Sequence, residues 1–367
     1  MKDPLQFVKP AVRQIAAYTL AARQAPVKIN QNENPYDLPE ALKRRVLEKA
    51  LRRPWSRYPD FDPKDLLAKL AAFSGWRADG ILAGNGSNEL IEALLLVTVG
   101  AGTRVVIPEP TFTLYALLTT VLGGEAVRVP LTPDLQYDPE AIARARRQAG
   151  APLTVVCSPN NPTGGVLSTA DVRRLCEEEG GLVVIDEAYH EFAGESVVPL
   201  LEAHANLVVL RTFSKAMGLA GLRVGYLLAS PELVREINKG RLPYNLNFFS
   251  QTAALAALED YAELGVRVRQ LAEERERLLA LVKDLPGVRA YPSRANFFLI
   301  ELRDADPKAV FEGLLRRGVL VRDVTAYPML SRCLRISVGT PEENDAFLHA
   351  LGSALGEARP DVAMGRA

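Results

Sequence analysis

The stretch Arg211-Thr212-Phe213-Ser214-Lys215-Ala216-Met217-Gly218-Leu219-Ala220-Gly221-Leu222-Arg223-Val224-Gly225-Tyr226 decides how this chain is read. It follows Leu207–Leu210, an apolar, β-branched run short enough to be a buried strand. A lysine just past such a strand, set among Ser, Ala, Met and Gly, loses much of its water. Desolvation disfavours the ammonium form, lowers the pKa and leaves an amine able to form a Schiff base. Eight residues on, Arg223 lies between glycines and suits the gripping of a phosphate. A Lys and an Arg beside a turn are, taken alone, usually solvated surface groups. The neighbouring sequence supplies what this pair lacks.

From about residue 103 to 230 apolar strands alternate with helical stretches. Strands are expected at Arg104–Ile107, Ala126–Val129, Thr154–Cys157, Leu182–Ile185, Leu207–Leu210 and Val224–Ala229, with helices at Phe112–Leu122, Pro139–Ala149 and Thr169–Glu179. Such alternation implies an α/β chain with a mostly parallel sheet covered on both faces. Sites in these sheets form at the carboxyl ends of strands. Polar clusters stand at four of those ends: Pro108–Phe112, Ser158–Gly164, Asp186–Tyr189 and Lys215.

Further out, Gly84-Asn85-Gly86-Ser87-Asn88-Glu89 leads into a helical run. Its free N–H groups, hydroxyl and helix dipole suit a phosphate, or serve only as an N-cap. The spacing is not a dinucleotide-binding fingerprint. Asn30–Asp37 is dense in turn formers, and Arg57-Tyr58-Pro59-Asp60 is extended before its proline. Helices are expected at Pro39–Leu51, after Asp62-Pro63, and over Gln251–Leu285 as one long region. The end alternates again, with strands at Asn296–Leu302, Val319–Arg322 and Cys333–Val338 and helices at Pro307–Arg317 and Pro341–Leu355.

Composition narrows the function. Lys+Arg and Asp+Glu are both 44, so no electrostatic footprint for nucleic acid or an anionic membrane is present. The three cysteines are scattered and form neither a metal spacing nor a disulfide framework, which fits a reducing compartment. No metal is expected. Met1–Pro4 shows no secretory apolar region and no run reaches the roughly 20 residues that span a bilayer, so a cytoplasmic place is expected. The three histidines form no cluster, and His190 is expected to be structural.

The strings Asn30–Tyr36, Arg57–Asp60, Gly84–Glu89, Pro110–Phe112, Ser158–Gly164, Asp186–Phe192, Arg211–Tyr226 and Leu334–Thr340 run in order along almost the whole chain. Together they resemble the fold-type I pyridoxal-phosphate-dependent aminotransferases, and within them the histidinol-phosphate aminotransferases. Threonine-phosphate decarboxylases and several aromatic amino-acid aminotransferases resemble these closely and remain alternatives. The resemblance implies a large cofactor-binding domain over 46–264, with a mostly parallel sheet of seven-stranded type between helices. It implies a smaller α/β domain from 1–45 and 265–357, with an N-terminal arm, and a loose tail over 358–367. Pyridoxal 5′-phosphate would be the cofactor. The reaction would be histidinol phosphate plus 2-oxoglutarate giving imidazole acetol phosphate plus glutamate, in histidine biosynthesis. A regulator on the same fold would carry an added DNA-binding domain; here the fold is expected to fill the chain from near residue 30.

The resemblance also implies roles. Lys215 would carry the cofactor as a Schiff base and then act as general base and acid. Asp186 would pair with the pyridine nitrogen. Tyr189 and Asn161 would donate to the ring's phenolic oxygen, and Phe112 would stack on the ring where relatives place Tyr or Trp. Gly86, Ser87, Asn88, Ser214 and Arg223 would hold the phosphate; many relatives have Asp where Asn88 stands. Tyr58 would reach the phosphate in a neighbouring subunit, which implies a homodimer. Arg335 would bind the substrate phosphate or the carboxylate of glutamate, with Arg322 and Tyr18 as further phosphate contacts. Two arginines suit a phosphate dianion better than a lone carboxylate.

Overall fold

A computed structural model describes residues 3–17, 22–178 and 180–358 of the chain. Its strands, in chain order, are β1 (Val27–Lys28), β2 (Ile81–Gly84), β3 (Arg104–Glu109), β4 (Glu125–Pro130), β5 (Leu153–Cys157), β6 (Leu182–Asp186), β7 (Leu207–Thr212), β8 (Gly225–Leu228), β9 (Val288–Ala290), β10 (Phe297–Leu302), β11 (Val319–Leu320), β12 (Arg322–Asp323) and β13 (Cys333–Ser337). A seven-stranded sheet has the order β2-β8-β7-β6-β5-β3-β4. Within it β8 runs antiparallel to both neighbours, while β4, β3, β5, β6 and β7 are mutually parallel. The expected α/β class and mostly parallel sheet are therefore present.

Alternate residues explain why these strands read as continuous apolar runs. Val106, Val156, Val183 and Val209 enter the core on one face, and Val105, Val155, Val184 and Val208 the core on the other. Each such valine, withdrawn from water, contributes about 1.5–3 kcal/mol. The helices covering the faces carry local signals of their own. Pro139–Ala149 starts with Asp138 accepting from the Ala141 N–H and Pro139 in the first turn, and stops at Gly150 with φ +56.

A second, antiparallel sheet has the order β12-β13-β10-β9, and β1 pairs parallel with β11 beside it. Phe297, Ile300, Leu334, Ile336 and Phe347 fill the core under that sheet. The β1 pairing matters for the site, because it ties the segment after Lys28 to the smaller sheet: Ile29 N–H donates to Leu320 O at 3.0 Å, and Ser337 N–H to Ile29 O at 3.1 Å.

Some expectations change. β2 was not expected; it is four residues long and its partner β8 is far away in sequence. Val319–Arg322 is two short strands rather than one, since β11 pairs with β1 while β12 pairs with β13. Gln251–Leu285 is two helices, Phe248–Glu259 and Tyr261–Lys283. They meet at Asp260 (φ −101, ψ 18), whose carboxylate takes Arg45 at 2.7 Å instead of continuing a single helix. The helix expected from Phe112 begins at Leu114, which leaves Phe112 in the preceding loop. The last helix, Pro341–Ala358, runs one residue into the expected tail; residues 359–367 lie outside the described residues.

Candidate active site

The carboxyl ends of β7, β6, β5 and β3 lie side by side in that order, and all open on one cavity of about 280 Å³. Lys215 follows β7, Asp186 closes β6, Asn161 follows β5 and Phe112 follows β3, and all four line the cavity. Ser87, Asn88, Tyr189, Ser214, Arg223, Arg322 and Arg335 line it too. Residues distant in sequence thus converge because their strands are neighbours in the sheet.

Lys215 is the amine of the site. Its Nζ donates to Gln31 O at 3.0 Å and stands 5.8 Å from the centre of the Tyr189 ring. Burial, reinforced by the positive charge of Arg335, pushes its pKa down to about 7. Asp186 is the opposite case. Burial pushes its carboxyl up to about 6, against hydrogen bonds that favour the charged form. Those bonds come from Tyr115 Oη to Oδ2 at 2.7 Å and from the Ala188 N–H to Oδ1 at 3.0 Å. Beneath them Arg211 Nε and Nη2 donate to Glu187 Oε2 at 3.0 and 2.9 Å, a buried ion pair joining β7 to the end of β6. Breaking one side of such a pair leaves an uncompensated buried charge.

An anion cradle lies at one end of the cavity. Gly86 (φ +80, ψ 163) turns the chain into the helix Ser87–Thr98, in a conformation essentially reserved for glycine. A Cβ there would stand 2.5 Å from Arg223 Nη2. Gly86 therefore packs against the Arg223 guanidinium, though it is not part of the cavity wall. Arg223 Nη1 donates to Ser214 Oγ at 3.1 Å. A helix N-terminus, two hydroxyls and a guanidinium together suit a phosphate dianion.

A second pair of cations faces the cavity from the smaller sheet. Arg322 on β12 and Arg335 on β13 are directly opposite in register. Like charges in that relation destabilise a sheet unless an anion offsets them. Arg335 is held by donating Nη1 to Asn161 Oδ1 at 2.5 Å and Nη2 to Asn30 O at 2.7 Å. With Oδ1 accepting from Arg335, the Asn161 carboxamide presents its nitrogen as the remaining donor.

Not every expected residue falls here. Tyr58 is 76% exposed and stacks on Tyr244 at 4.5 Å; it is not in the lining of its own chain's cavity. Tyr18 lies outside the described residues. His190 is not in the lining; its Nδ1 donates to Glu187 O at 2.9 Å. Sequence reading missed Tyr115, Asn30, Asn32 and Tyr327, which line the same cavity. Tyr115 had a usable signal: three residues after Phe112 at a helix start, it shares that residue's side, and the rings meet edge to face at 5.6 Å. Among the described residues no group of three or more His, Cys, Asp or Glu is placed to hold a metal ion, and no helix is long and apolar enough to cross a membrane.

A desolvated amine, a buried carboxylate across from it and a phosphate cradle define the class of pyridoxal-phosphate enzymes on an α/β scaffold. The family model for aminotransferases of class I and II matches residues 25–351, and the chain belongs to that family. It is 40% identical over 352 residues to a histidinol-phosphate aminotransferase of Chlorobium phaeovibrioides, covering 95% of this chain and 97% of that one. It is 41% identical over 354 residues to the enzyme of the same name from Chlorobaculum parvum, covering 96% and 99%. A crystal structure of histidinol-phosphate aminotransferase from Sinorhizobium meliloti in complex with pyridoxal 5′-phosphate matches with a TM-score of 0.87 at 28% identity, covering 96% of this chain and 98% of that one. The chain is a transaminase, and pyridoxal 5′-phosphate is its cofactor. The residues present fit that group: a phosphate-ready cradle beside Gly86, an amine at Lys215 for its aldehyde, and a carboxylate at Asp186 for its ring nitrogen.

Proposed function

We propose that this chain moves the amino group of histidinol phosphate to 2-oxoglutarate, giving imidazole acetol phosphate and glutamate, as a step in histidine biosynthesis. The observation that carries the substrate class is the Arg322–Arg335 pair, opposed in register and facing the Lys215 cavity. Two guanidinia give the multiple charge-assisted bonds that a phosphate dianion accepts, and one of them can also take the single carboxylate of the second substrate.

When bound, the cofactor supplies the electron sink that lets a substrate Cα–H bond break and the amino group change hands. The protein's own residues do the rest. Lys215 Nζ would hold the cofactor through its aldehyde carbon and, when free, would take the proton at the substrate Cα and return it. The Asp186 carboxylate would pair with the ring nitrogen and keep it protonated. Tyr189 and Asn161 would each offer a donor to the phenolic oxygen, and Phe112 would cover the ring. Ser87, Asn88, Ser214 and Arg223 would hold the cofactor phosphate, with Gly86 leaving room for the Arg223 guanidinium. Arg335 and Arg322 orient the substrate, and Tyr18 is assigned to the same phosphate.

The working unit is a homodimer in which Tyr58 reaches the partner's cofactor phosphate. Trp55, Tyr58, Phe61 and Tyr244 support this: all four are exposed, Tyr58 stacks on Tyr244 and Phe61 meets Tyr244 edge to face, a cluster of aromatic area that favours burial. The large domain over 46–264 and the smaller one from 1–45 and 265–357 hold the cofactor cradle and the substrate arginines respectively. The three buried, unpaired cysteines fit a cytoplasmic place.

A donor screen with 2-oxoglutarate as acceptor tests the reading. Histidinol phosphate should be the preferred donor, and Arg322→Ala should raise its KM by about 10- to 100-fold while leaving glutamate less affected. A preference for phenylalanine or aspartate, or carbon dioxide release from threonine phosphate, would replace it.

A further inference from the structure

A short strap after β1 touches three site residues in succession. Asn30 O accepts from Arg335, Gln31 O accepts from Lys215, and Asn32 meets Tyr189. The first two use main-chain oxygens. Asn32 alone uses its side chain, and the hydrogen-bond directions around it can be worked out.

Asn32 is 1% exposed, and its backbone is left-handed at φ +54, a conformation that Asn tolerates better than most residues. Its main-chain N–H donates to Ser337 Oγ at 2.9 Å. A backbone N–H can only donate, so the Ser337 hydroxyl accepts there and sends its own hydrogen to Asn32 Oδ1, at 2.8 Å. With Oδ1 receiving, the carboxamide turns Nδ2 toward Tyr189 Oη, 3.1 Å away. An amide nitrogen has no lone pair to offer, so the tyrosine oxygen must accept. The Tyr189 hydrogen is then left for another acceptor, in a residue that lines the Lys215 cavity. Burial raises the Tyr189 pKa, which keeps that hydrogen on the oxygen. Asn296 Nδ2 closes the arrangement by donating to Asn32 O at 3.1 Å.

We propose that Ser337 and Asn32 form a hydrogen-bond relay that fixes the direction of the Tyr189 hydroxyl, making Asn32 a positioning residue for the proton Tyr189 offers to the cofactor's phenolic oxygen. Ser337 is two residues beyond Arg335 on β13 and so shares its face of the sheet. The strand that carries the substrate arginine thereby also sets the tyrosine proton. The inference rests on the reading that Tyr189 faces the cofactor.

The test is the pH midpoint of the visible absorbance of the loaded enzyme. A donor on the phenolic oxygen stabilises its negative charge, so loss or misdirection of that donor makes the neighbouring proton bind more tightly and moves the midpoint up. Besides Asn32, the groups facing Tyr189 are Lys215, Arg335, Asp186 and Cys157, and none is changed by the variants. Tyr189→Phe should raise the midpoint by about one unit. Ser337→Ala and Asn32→Gly should each raise it by roughly half a unit, and neither should shift it further in the Tyr189→Phe background. Glycine keeps the left-handed backbone. Ser337→Ala leaves the backbone alone and carries the test if Asn32→Gly does not fold. No shift in Tyr189→Phe overturns the reading of Tyr189 and the relay with it. A shift there, but none in Ser337→Ala or one of equal size in the double variant, overturns the relay alone.

Discussion

Lys215 is an amine made ready by its surroundings. Its pKa of about 7 means that the neutral form grows in as pH rises through that value, where an exposed lysine stays charged to about 10. Capture of the cofactor by protein stripped of it should therefore quicken about tenfold between pH 5 and pH 6, then level off above roughly pH 8. Stopped-flow absorbance at the growing visible band measures this, and a rate flat from pH 5 to 8 would speak against a depressed amine. The linkage sign follows. Between about 7 and 10.5 the folded stripped protein binds fewer protons than the unfolded chain, so its stability rises with pH across that window. Lys215→Ala removes both trends, together with the covalent retention of the cofactor after borohydride reduction.

Gly84-Asn85-Gly86-Ser87-Asn88-Glu89 reads as a phosphate turn or as a plain N-cap, and the element it starts supports the first reading. The helix Ser87–Thr98 points its first turn at the cavity, and Arg223, in a left-handed conformation of its own at φ +53, folds back over Gly86. Any side chain at position 86 meets both a forbidden backbone angle and the guanidinium. Gly86→Ala should weaken the cofactor by about 10- to 100-fold, as strain of about 1–3 kcal/mol implies, without changing the spectrum of what binds. Fluorescence titration checks it; an unchanged dissociation constant would mean that the cradle lies elsewhere. The strand pair β12 and β13 shows the other side of element-level reading. Arg322 and Arg335 were each visible as candidate anion binders, but only antiparallel register places them opposite one another. The break at Val321, where the chain leaves β1 for β13 as partner, was hidden because Val319–Arg322 satisfies a single-strand pattern equally well.

At the scale of the molecule, the exposed aromatic cluster around Tyr58 and the cavity around Lys215 belong to one proposal, that each site borrows a residue from a partner. Variants Tyr58→Ala and Lys215→Ala should each be nearly inactive alone. Mixed and allowed to exchange subunits, they should regain part of the activity, because the hybrid assembles one site free of both changes. Exchange without recovery, shown by native mass spectrometry, would refute the sharing. The two sheets meet at the cavity: Lys215, Asp186, Asn161 and Phe112 come from the larger, Arg322 and Arg335 from the smaller, and the Asn30–Asn32 strap bridges them.

By itself the amino-acid sequence determined the parts with a local cause. Apolar runs such as Val183–Ile185 must be buried strands, Gly86 must turn, and Lys215 after a buried strand must lose water. That sufficed for the α/β class and the strand-end clusters, while the resemblance to a known family named most of the lining. Tertiary structure alone decided what depends on register and on hydrogen-bond direction. Tyr115 meets Asp186 across 71 residues, Asn32 meets Tyr189 across 157, and Ser337 meets Asn32 across 305. No local pattern records such contacts, because each is set by how the sheets pack and by which atoms remain able to donate once the backbone is in place.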